Sequence, residues 1–140
     1  MGSWIFSKAL GFFIPYSGSL GAKVLQYQPG YALVELKERR RIRNHLGSIH
    51  AAALMNLAEL ASGLALHSKL PRGMRGIVTT FEVRYLKKAR GAICAESIFK
   101  DAIPLNESSQ QISATIRDAD GAIVVEATAT WLVRPPPSSS

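Results

Sequence analysis

The sequence predicts an α+β domain in which an antiparallel sheet curls round one long central helix, in the order α-β-β-α-β-β-β-β. Three observations lead there. Residues 49 to 67 are apolar on nearly every side of a helical projection, the pattern of a helix enclosed by its own domain. Runs with two-residue alternation lie on either side of it, two before and four after. Pro29-Gly30 and Asp118-Ala119-Asp120-Gly121 separate neighbouring runs as hairpin turns do. The chain has 140 residues, 47% apolar and 19% charged, enough for one core without disulfides or a structural metal. A single domain over residues 1–134 is expected.

Within residues 1–18, Ile5, Leu10, Phe12 and Phe13 fit a short capping helix followed by a loop. The segment lacks a basic leader and ends at Pro15, short of the ~18 apolar residues that a membrane span needs, so neither a signal peptide nor membrane insertion is expected. Lys23 to Gln28 and Tyr31 to Lys37 read as a hairpin, with Ala32, Val34 and Leu36 inward. Glu38 to Gly47 is polar and irregular, a loop. The helix follows from Ile49 to His67, with Ser48 as its cap and Pro71-Arg72-Gly73 beyond its end. Gly76 to Lys87 alternates with Ile77, Thr79, Phe81, Val83 and Tyr85 on one side. Three more strands follow: Ala92 to Lys100, Gln110 to Arg117 with Ile112, Ala114 and Ile116 inward, and Ala122 to Arg134 with Ile123, Val125, Ala127, Ala129, Trp131 and Val133 on one face. Residues 135–140, three prolines and three serines, have nothing to bury and read as a disordered tail.

Seventeen basic against ten acidic residues give a formal charge of +7, which favours anionic partners. Arg39, Arg40, Arg41 and Arg43 suit nucleic acid on charge alone. No helix-turn-helix, zinc finger or aromatic RNA-binding strand accompanies them, so no nucleic-acid partner is expected. The lone Cys94 cannot form an internal bridge, and one thiol suits a reducing cytoplasm. The three histidines, His45, His50 and His67, have no metal-ligand spacing, and no metal or resident cofactor is expected. Serine-hydrolase elbows and phosphate-binding loops are absent from the sequence.

Glu59 is the only acidic residue between Glu38 and Glu82, and it stands in the middle of the most apolar helix. Burying a carboxylate there costs several kcal/mol unless it is paired, solvated or protonated. Glu59 therefore lies on a strip meeting water or an arginine, or serves in a cleft as a catalytic base or nucleophile. Just before the helix stands Asn44-His45-Leu46-Gly47-Ser48-Ile49-His50-Ala51-Ala52. The free N–H groups of a first helical turn, with the positive end of the helix dipole, suit a developing oxyanion. His50 either holds a ligand carbonyl or only completes the cap.

These residues resemble the signature of the hotdog-fold acyl-CoA thioesterases of the phenylacetyl-CoA thioesterase type. The matching pattern is Asn44-x-x-Gly47-x-x-His50-Ala51-Ala52-Ala53-Leu54, then Leu57-Ala58-Glu59 and Gly63, with Glu59 nine residues after His50. Val83-Arg84-Tyr85-Leu86-Lys87-Lys88-Ala89-Arg90-Gly91 is similar to that family's strand ending in Tyr/Phe-Leu-x-Pro-Ala-x-x-Gly. Alanines replace the two glycines after the histidine, and Lys88 replaces the proline. The resemblance implies a hotdog fold and hydrolysis of an acyl-CoA thioester, with coenzyme A arriving as part of the substrate. It implies catalytic roles for Glu59, Asn44, His50, Gly47 and the N–H of Ala51, and puts Thr79 or Thr80 nearest the position of an assisting hydroxyl. Arg84, Lys87, Lys88 and Arg90 cluster where phosphates of coenzyme A would need cations. A non-catalytic acyl-ligand binder, for which the Ala51-Ala52 pair argues, and a hotdog dehydratase or hydratase are the rival functions.

Helical geometry adds a constraint. From His50 to Glu59 the helix turns through about 900° and climbs about 13.5 Å, so the two side chains point apart. If both serve one carbonyl, the second belongs to another copy, and a homodimer or dimer of dimers with sites between subunits is expected.

Overall fold

The computed structural model describes residues 21–137. The expected N-terminal helix and the three terminal serines lie outside the described residues. Six strands and one long helix occupy the rest: β1 Lys23–Gln28, β2 Tyr31–Lys37, α1 Ala51–His67, β3 Arg75–Tyr85, β4 Ala92–Ile98, β5 Ser108–Arg117 and β6 Ile123–Arg134. They form one antiparallel sheet in the order β1-β2-β4-β5-β6-β3. The chain crosses the sheet twice, so β3 ends on one edge beside β6 and the β1–β2 hairpin on the other.

The alternation in β2 places Ala32, Val34 and Leu36 against the helix, and in β5 it does the same for Ile112, Ala114 and Ile116. Val125, Ala127, Ala129, Trp131 and Val133 of β6 complete the inner face. Against it α1 lays Leu54, Leu57, Ala58, Leu60, Ala61, Leu64 and Ala65. Burial of these apolar side chains, each contributing about 1.5–3 kcal/mol when large and fully enclosed, holds helix to sheet. Gly63 permits one close approach, since a Cβ there would stand 3.2 Å from the Trp131 ring.

The structure corrects four readings. The helix starts at Ala51 and its cap is His50; Ser48 is buried and bonded to Asn44 instead. The loop after β2 contains a short 3-10 turn, Arg40–Ile42, which tucks Ile42 into the core. In β3 the register shifts between Val78 and Thr80, so Thr79 is an extra residue and the alternation changes phase. Ile77 and Thr79 are consequently exposed, while Val78, Phe81 and Val83 are the residues packed on the core. Finally, α1 is not covered all round. It packs mainly on β2, β4 and β5 and less on β6 and β3, so Ala52 and Met55 face outward with Asn56 and Glu59 half-buried beside them.

Candidate active site

The loop that leads into α1 is built on Asn44. Its Oδ1 accepts from the Leu46 N–H at 2.9 Å and from the Ser48 N–H and hydroxyl at 3.2 Å each. Its own N–H donates to the Ser48 carbonyl at 2.7 Å. Gly47 closes the turn in the left-handed region, φ +75°, and donates its N–H to the Asn44 carbonyl at 3.2 Å. Ile49 then donates to Ala89 at 2.8 Å and His50 to Ile42 at 2.7 Å, fastening the loop to the segment after β3 and to the core. Glu38 holds the same two segments together, accepting from the Gly91 N–H at 2.9 Å and Arg43 Nε at 2.7 Å. The Gly91 N–H first, and Arg43 after it, hold this carboxyl below its ordinary range.

His50 caps the helix with its side chain: Nδ1 accepts from the Ala52 N–H at 3.0 Å. The imidazole proton therefore sits on Nε2, on an exposed ring. The His50 carbonyl takes the N–H groups of Ala53 and Leu54. Ala51 is left as the first-turn residue whose N–H has no partner among the described residues. It lines a cleft of about 330 Å³ together with Asn44, Ser48, Leu54, Tyr85 and Lys88. A backbone donor at the positive end of a helix, in a cleft with a lysine at its wall, suits an anionic or carbonyl oxygen.

Tyr85, the last residue of β3, is part of the family-like strand motif but was not among the expected site residues. Its hydroxyl donates to the Ala51 carbonyl at 3.1 Å across 34 positions of sequence. Burial pushes its phenol further above neutral pH than the ordinary value already lies.

The basic residues divide. Lys87 lies on the cleft but is paired with Asp118 at 2.9 Å, which raises its ammonium above the usual range. Lys88 borders both the cleft and an adjoining groove that it shares with Arg90, Asp118 and Asp120. Arg84 lies elsewhere, in a groove on the outer sheet face with Glu82, Glu126 and Thr128. Thr79 uses its hydroxyl on the Thr130 carbonyl at 3.2 Å, and Thr80 lies opposite Thr130. Both are five or six residues along β3 from Tyr85, roughly 17–20 Å at strand spacing.

Glu59 is half-buried, with a carboxylate that makes no hydrogen bond or ion pair among the described residues. It stands about 12 Å along the helix from Ala51. One chain therefore brings Asn44, Ala51, Lys87 and Lys88 to one cleft, with Gly47 and His50 in the segment that enters the helix and Arg90 in the adjoining groove. It leaves Glu59, Thr79, Thr80 and Arg84 away from that cleft.

A six-stranded antiparallel sheet curled round one helix, with its cleft at the helix N-terminus, defines a hotdog-fold protein. The chain belongs to the family described as "Domain of unknown function (DUF4442)", whose profile matches residues 2–133. Among solved structures, the genomics target APC5556 is similar with a TM-score of 0.83 at 34% identity, covering 92% of this chain and 87% of that one. A Pseudomonas aeruginosa protein described as a probable thioesterase has a TM-score of 0.83 at 23% identity, over 95% of this chain and 99% of its own. The phenylacetic acid degradation protein PaaI of Thermus thermophilus, solved as a point mutant, has a TM-score of 0.73 at 22% identity, covering 84% and 97%. No curated protein matches the chain. Among the described residues, no helix is long and apolar enough to cross a membrane.

Proposed function

We propose that the protein hydrolyses acyl-CoA thioesters at a site completed by two copies of the chain. The observation that carries this reading is the Ala51 N–H, without a partner among the described residues, in a cleft walled by Asn44 and Lys88. The thioester carbonyl oxygen docks on that N–H, with the His50 Nε2–H and Asn44 amide nitrogen as adjacent donors. Gly47 contributes the backbone turn that sets the loop. Glu59 of the second copy, unpaired on the open strip of its helix, removes a proton from water as the oxygen attacks the carbonyl carbon. The negative charge moves onto the carbonyl oxygen, where the helix end stabilises it. Its collapse breaks the C–S bond, and the proton held by Glu59 passes to the departing thiolate of coenzyme A, leaving the free acid. Direct attack by the Glu59 carboxylate, followed by hydrolysis of the anhydride, reaches the same products.

Lys88 and Arg90 take the phosphates of coenzyme A, with Lys87 restrained by Asp118. Arg84, Thr79 and Thr80 reach this mouth only from the second copy. A thiol-release assay over short, medium, long and aromatic acyl-CoAs tests the proposal. Wild type is expected to release thiol from at least one class, and Glu59→Gln to lower that rate by about 10²–10⁴-fold with an unchanged circular dichroism spectrum. Unaltered turnover in the variant, or saturable binding without release by the wild type, overturns it; the latter result assigns a binding protein.

A further inference from the structure

We propose that Tyr85 is a positioning residue for His50, acting through the single peptide group that joins Ala51 to Ala52. The inference rests on the hydrolase reading for the use made of His50, and on geometry alone for the link itself. The Tyr85 hydroxyl donates to the carbonyl of that peptide at 3.1 Å, and the N–H of the same peptide donates to His50 Nδ1 at 3.0 Å. A donor on the carbonyl draws electron density toward oxygen and makes the N–H at the other end a stronger donor, so the two bonds reinforce each other.

The anchor is firm on the sheet side. Tyr85 lies opposite Val125, and beyond it the Leu86 N–H donates to the Val124 carbonyl at 2.9 Å. The phenol thus ties the rim of the sheet to the first turn of α1. With Nδ1 engaged as an acceptor, His50 carries its proton on Nε2, and the ring is held at its backbone and at Nδ1. The Nε2–H becomes a donor of fixed direction on the residue before Ala51, which lines the cleft, and on the hydrolase reading it serves the thioester carbonyl or the attacking water. Tyr85 need not touch substrate for this. A phenylalanine in its place keeps the ring and removes only the link.

The test pairs a spectroscopic signature with kinetics. Nitrogen NMR of the imidazoles is expected to show wild-type His50 protonated on Nε2, and Tyr85→Phe is expected to move it toward the exchange average of the two tautomers. In thiol release, Tyr85→Phe is expected to lower kcat about three- to tenfold with KM nearly unchanged, the size of one lost hydrogen bond. In a His50→Asn background the same substitution is expected to cost nothing further. A proton on Nδ1 in wild type overturns the proposal without any variant. An unchanged tautomer in Tyr85→Phe also overturns it, as does a kcat loss that persists beside His50→Asn, which marks direct contact with substrate. Absence of thiol release from every substrate removes the hydrolase reading, while the imidazole spectra still decide the link.

Discussion

The Tyr31 hydroxyl donates to Glu96 Oε2 at 2.7 Å on the outer face of the β2–β4 pair. That bond, then burial and the nearby Glu96 charge, push the phenol up to about 12. A group whose folded value is raised stabilises the fold fully below its unfolded value near 10 and loses that contribution as pH rises through the folded one. Ultraviolet titration is therefore expected to show one tyrosine ionising near pH 12, and Tyr31→Phe to abolish that step. The same scale explains two assignments of site residues. Asn44 was legible as part of a motif, but its Oδ1 is fully used in shaping the loop, which leaves only its amide nitrogen for a ligand. Lys87 was legible as a cation, while its partner Asp118 lies 31 residues away.

At the scale of elements, the start of α1 separates a structural role of one residue, which the structure shows, from the chemical role proposed for it. His50 caps the helix through Nδ1, and on the proposed function its Nε2–H is a donor to the substrate. The roles separate by substitution. His50→Ala is expected to lower stability by about 1 kcal/mol in urea denaturation, the usual cost of losing a cap. His50→Asn restores a capping oxygen and is expected to recover most of that stability while thiol release stays low. Recovery of both together would make the histidine a cap and nothing more. Ser48 looked the better cap from the sequence because serine is a favoured type at that position. Asn44 captures Ser48 in the loop, and the chain enters the helix two residues later.

At the scale of the whole molecule, the open strip of α1 and the edge strand β3 define one continuous requirement. Met55 is 42% exposed and Ile77 61% exposed, and Phe81 and Val83 are only half-buried. On the proposed function two copies meet over these residues, covering the strip and setting Glu59 of one chain at the Ala51 N–H of the other. Sedimentation is expected to give roughly twice the chain mass of 15.2 kDa for the wild type. Met55→Arg, which places a charge in that contact, is expected to give single chains and to lower thiol release at least tenfold while the fold persists. Full activity in a single-chain species would remove the two-copy site.

Periodicity alone determined most of the architecture. The bounds of β1 and β2, the inner faces of β2, β5 and β6, and the central helix follow from which side chains must leave water, and that demand is written at spacings of two and of three to four residues. The isolation of Glu59 in an apolar helix was visible for the same reason. Tertiary structure decided what local spacing does not encode. The bulge at Thr79 reversed the phase of β3, because register depends on the partner strand. The cap passed to His50, the Tyr85 hydroxyl met Ala51, and the Ala51 N–H was left without a partner among the described residues, because these pairings form only once distant segments have packed side by side.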